Sequence, residues 1–112
     1  MLVLAILFFL GALYAGFLLV NSHKRNIKPL DFVITMHVSC ALLGILSFLI
    51  YLIIEYSTTA LIGFLLFVAA ALGGFILFRI LRPQEIKPLS LIAIHATVAI
   101  TALAVTTLSF FN

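Results

Sequence analysis

Charge is what this sequence has least of. Asp, Glu, Lys and Arg make up 8% of its 112 residues, against 66% hydrophobic ones, and the mean hydropathy is +1.43. A balance tilted this far places the chain among integral membrane proteins. With so few residues outside the apolar runs, no soluble domain and no nucleic-acid partner are expected. Cysteine is nearly absent too. The single Cys40 cannot form an internal disulfide, and a thiol-oxidising membrane enzyme would need at least a pair, so Cys40 reads as a small buried thiol.

Proline is missing where it would matter most. Four apolar stretches stand out, Leu2 to Val20, Leu30 to Ile54, Thr59 to Ile80 and Leu89 to Phe111, and none has an internal Pro. Each is near or above the roughly 20 residues that cross about 30 Å of hydrocarbon as a helix, and each can run unbroken. The expected fold is an all-α integral membrane protein, an antiparallel four-helix transmembrane bundle with short links, with residues 1–112 as one domain. The first stretch lacks a basic region before it and a small-x-small cleavage site near Val20, so it reads as a retained helix and not as a secretory signal.

The positive charges are confined to two links. Lys24, Arg25 and Lys28 lie in the first, and Arg79, Arg82 and Lys87 at the third, which accounts for all six Lys and Arg. The second link, Glu55 to Thr58, has none. The positive-inside rule then puts links one and three in the cytoplasm and both termini outside, in what we read as a bacterial inner membrane.

Two histidines lie within the apolar runs. His37 follows Lys28-Pro29-Leu30 and His95 follows Lys87-Pro88-Leu89, eight residues after the first Pro and seven after the second. Proline is tolerated in a first helical turn, and Asp31 there favours the positive end of the dipole. At about 1.5 Å per residue both rings sit roughly 10 Å below the entry point of their helices. The two segments can be laid against each other as a degenerate repeat, a match too short by itself to establish duplication.

An unpaired imidazole in hydrocarbon costs a few kcal/mol, so two at matched depth call for a shared partner. Zinc or copper wants three or four protein ligands, and near this depth only Cys40 and Met36 could add to the pair, with Glu55 far away at the outer end of its helix. Haem wants two axial ligands. The expected site is therefore one b-type haem per chain held by His37 and His95, its propionates met by cations on the basic side, chiefly Lys28, Arg79, Arg82 and Lys87. Those cations also have a plain topological role. His23, in the basic link, is expected to be solvated or headgroup-facing.

Small side chains line one stripe of each histidine helix: Cys40, Ala41 and Gly44, then Phe48 and Tyr51, below His37, and Ala99, Ala102 and Thr106 below His95. They leave room for a flat group or for close backbone approach. Ala69, Ala70, Gly73 and Gly74 on the third helix form a doubled small-xxx-small pattern, and Ala12 and Gly16 a single one on the first. The third-helix pattern is the expected homodimer seam.

In outline, histidines on the second and fourth of four membrane helices resemble the membrane-bound b-type cytochromes of the cytochrome b561 kind. The resemblance rests on His37 and His95 and covers two helices. It implies haem held between helices and electron transport, with a quinol or a cytoplasmic redox protein as partner. It departs from that family in having one intramembrane pair where two haems near opposite faces are common. The small multidrug resistance exporters are similar in length and helix count, but they use a first-helix Glu that Leu2 to Val20 lacks. A haem-binding anchor subunit of a redox complex is a further reading. A proton-coupled transporter is another, since an imidazole titrates near pH 6.5, although broken helices or an embedded acidic residue would be expected of one.

Overall fold

The computed structural model describes residues 2–25, 31–77 and 89–111, apart from the side chains of His23, Leu89 and Phe110. Four helices account for nearly all of them: α1 Leu2–Lys24, α2 Asp31–Ile54, α3 Thr58–Phe75 and α4 Leu89–Phe110. Each contains a span long and apolar enough to cross a membrane, of 21, 24, 18 and 20 residues respectively.

Local chemistry explains the ends that are described. Lys24, in the last turn of α1, sits at the negative end of the helix dipole. The helix thus runs about one turn past Val20, through Asn21 and Ser22, and the Arg25 amide donates to the Asn21 carbonyl at 3.2 Å. Asp31 stands in the first turn of α2. Ser57 caps α3, its Oγ accepting from the Ala60 amide at 3.1 Å while its carbonyl accepts from the Leu61 amide at 3.0 Å. This satisfies donors that a helix start otherwise leaves open. In α4 two hydroxyls bond back to their own helix, Thr106 to the Ala102 carbonyl at 2.7 Å and Thr107 to that of Leu103 at 2.9 Å. These two hydroxyl protons are thereby kept from an apolar surround.

Packing divides the chain into two compact units, Met1–Ile54 and Glu55–Asn112, each holding one pair of helices. In the first, Gly16 meets His37, Gly11 meets Cys40 and Phe9 meets Gly44, so the contacts descend α1 as they climb α2. The Phe9 ring lies so close that a Cβ on Gly44 would come within 2.6 Å of it. Phe48, fully buried, carries the stack onward, its ring 6.4 Å from Phe9 and 6.1 Å from Tyr51, edge-on to the latter. Such tilted and edge-to-face pairs add to simple area burial.

The second unit repeats the first at an interval of 58 residues. Four of the five buried positions of α1, Leu2, Ala5, Phe9 and Ala12, correspond to buried Ala60, Gly63, Phe67 and Ala70 of α3, while the fifth, Ala15, corresponds to half-buried Gly73. On the second helix of each unit, buried Gly44 and Phe48 correspond to buried Ala102 and Thr106. The histidines, 37 and 95, keep the same interval. Three- and four-residue steps on both helices mean that each buries one narrow stripe against its neighbour.

Candidate functional site

Each histidine is placed by the helix that precedes it. In the first unit the ring of His37 reaches α1, with Nδ1 2.8 Å from the carbonyl oxygen of Ala12. A carbonyl only accepts, so Nδ1 carries the proton and donates it. In the neutral ring the lone pair then belongs to Nε2. The approach depends on a missing side chain: a Cβ built on Gly16 would lie 3.2 Å from Cε1 and 3.4 Å from Nδ1 of His37. In the second unit His95 rests on α3 in the same manner, a Cβ on Gly74 falling 3.0 Å from its Cε1 and one on Gly73 3.7 Å from its Nδ1. The His95 Nδ1 is buried.

Beside His95 lies a groove of about 220 Å³, walled by Ala69, Ala70 and Gly73 on one side and Leu91, Ile94 and Val98 on the other. Small residues on α3 open it, and among the described residues His95 is its one titratable lining group.

The expected stripes of α2 and α4 exist as faces, and both turn toward the preceding helix of their own unit. Gly44 and Phe48 are buried against α1, and Cys40 sits against Gly11, whose Cβ would lie 3.2 Å from Sγ. Ala102 and Thr106 are fully buried. Of the two uses their small residues left open, close helix approach is the one seen within each unit. The small residues of α3 are divided likewise. Ala70 is buried and Gly73 and Gly74 receive His95, while Ala69 is exposed on the wall of the groove.

His37 and His95 fall in different units, each seated within its own. Glu55 is exposed at the end of α2. Lys28, Arg79, Arg82 and Lys87, expected near haem propionates, lie outside the described residues, as does the side chain of His23. Among the described residues no three or more His, Cys, Asp or Glu side chains gather closely enough to hold a metal ion between them.

Sequence reasoning did not find Ala12, Gly16 and Gly74 as partners of the histidines. The signal was present in the spacing, because Gly16 precedes His37 and Gly74 precedes His95 by the same 21 residues. No protein-family model, curated protein or solved structure matches this chain.

Proposed function

We propose that this protein is a membrane-embedded b-type haem protein that transfers electrons, with His37 and His95 as the axial ligands of one haem per chain. One observation carries the reading: His37 donates its Nδ1 proton to the Ala12 carbonyl. A histidine that ligates a metal through Nε2 characteristically gives its other ring N–H to a backbone carbonyl or carboxylate, which fixes tautomer and ring orientation. The donor set also suits the group. Two imidazoles suffice when a porphyrin supplies the other four ligands, and the groove beside His95 offers the apolar, small-residue wall that a flat macrocycle needs. When bound between two imidazoles, haem iron has no open position, and one-electron exchange is the chemistry it supplies.

The rest of the reading concerns setting. The four helices form an antiparallel bundle in a bacterial inner membrane, with the two basic links in the cytoplasm. Lys28, Arg79, Arg82 and Lys87 pair with the propionates there, and the electron partner is a quinol or a cytoplasmic redox protein. A homodimer completes it, with α3, the helix of Ala69, Ala70, Gly73 and Gly74, as its seam.

Purification from haem-replete cells tests this. A red protein with one haem per chain, reducible by a quinol analogue, is expected. A colourless preparation would end the haem reading, and proton flux lost in His37→Ala would replace it with transport. A haem that no quinol or cytoplasmic reductant reduces would assign the site to haem handling.

A further inference from the structure

The two units carry the same histidine seat, and we infer that Gly16 and Gly74 are equivalent positioning residues, each holding the imidazole 21 residues further on. The identity runs beyond the two glycines. Around them the sequences Ala12-Leu13-Tyr14-Ala15-Gly16-Phe17 and Ala70-Ala71-Leu72-Gly73-Gly74-Phe75 share Ala, Gly and Phe at matching places. In both seats the Cε1 corner of the ring is the part nearest the glycine, with 3.2 Å and 3.0 Å to the Cβ that glycine omits. In both, the alanine one turn earlier is buried, Ala12 at 7% and Ala70 at 5% exposure.

Gaps of this size are tighter than ordinary van der Waals contact, so an added methyl must displace the ring. The end of a side chain gives more easily than a packed helix, so the imidazole shifts by a few tenths of an ångström, its Nε2 direction shifts with it, and at His37 so does the hydrogen bond to Ala12. A chain built as two copies of one seat thus presents two rings set by the same device. The inference deepens the haem reading, in which these rings are axial ligands, but the seat exists whether or not haem binds.

The test uses the full chain in lipid, labelled with ring-15N histidine, without added haem. Gly16→Ala is expected to shift the His37 ring resonances and weaken the Nδ1–H bond to Ala12, leaving His95 in place. Gly74→Ala is expected to shift His95 and leave His37. Gly11→Ala is the control, since its methyl meets Cys40 at 3.2 Å and not a histidine, and it should move neither. Ring resonances unchanged in the glycine variants, or moved as far by Gly11→Ala, would overturn the inference. Should Gly16→Ala fail to fold, Gly16→Ala with His37→Ala should fold again, and continued failure would count against the seat. In haem-loaded protein both glycine variants should change the midpoint potential. Ring shifts without any haem in the wild type would leave the seat standing and remove the haem reading alone.

Discussion

Nδ1 of His37 lies 2.8 Å from the carbonyl oxygen of Ala12, joining two helices through residues 25 apart in the chain. The bond serves two ends. It ties α2 to α1 at the level of the ring, and it assigns the ring proton to Nδ1.

As a tether its strength is modest. Interhelical hydrogen bonds in membrane proteins average about 0.6 kcal/mol and reach about 1.7. His37→Ala should therefore lower stability in mixed micelles by an amount in that range, measured by denaturant unfolding. A loss several times larger would mean that the ring contributes mostly through packing.

Gly44 faces a sharper constraint. A Cβ there would stand 2.6 Å from Cε1 of Phe9, closer than real Cβ atoms approach, and Phe9 is buried. Gly44→Ala should cost about 1–3 kcal/mol, the usual range for overpacking. Phe9→Leu in the same chain should recover part of it. Equal stability of Gly44→Ala and the parent would show that the two helices separate more easily than their contacts imply.

The cap of α3 gives a local check. Ser57→Ala removes the acceptor for the Ala60 amide and should cost about 1 kcal/mol. Ser57→Asp should restore most of that loss, by hydrogen bonding and by its charge at the positive end of the helix dipole. Failure of Asp to restore it would point to a role of the hydroxyl other than capping.

The proposed topology is open to labelling, because only Cys40 needs to be removed first. In a Cys40→Ala background, Lys24→Cys should react with an impermeant thiol reagent only after the cytoplasmic face is exposed. Ser57→Cys should react from the outside of intact cells. The reverse pattern would invert the orientation and place the basic links outside.

Four helices, their approximate limits and the stripes on α2 and α4 could all be read from composition and three-to-four spacing, since both depend on residues close in sequence. What those stripes face could not. The Ala41, Gly44 and Phe48 stripe suits a porphyrin or a neighbouring helix equally, and only the packing of Phe9 into the space at Gly44 decides its use within the unit. The seats of His37 and His95 escaped for a related reason. Gly16 and Gly74 are ordinary small residues in their own helices, and their meaning lies 21 residues away. The short Lys-Pro-Leu repeat lies one residue out of step with the 58-residue repeat, which becomes evident only when Phe9 with Phe67, and Ala12 with Ala70, are seen buried. α1 continues beyond its apolar run, because polar Asn21 and Ser22 and basic Lys24 end the run without ending the helix.

The most direct test of the account is the reduced-minus-oxidised visible spectrum of the purified protein, with His37→Ala, His95→Ala and His23→Ala alongside. The account predicts sharp α and β bands of low-spin haem in the parent and in His23→Ala. It predicts their loss, or conversion to a five-coordinate high-spin spectrum, in each of the other two. A low-spin spectrum that survives either His37→Ala or His95→Ala would contradict it.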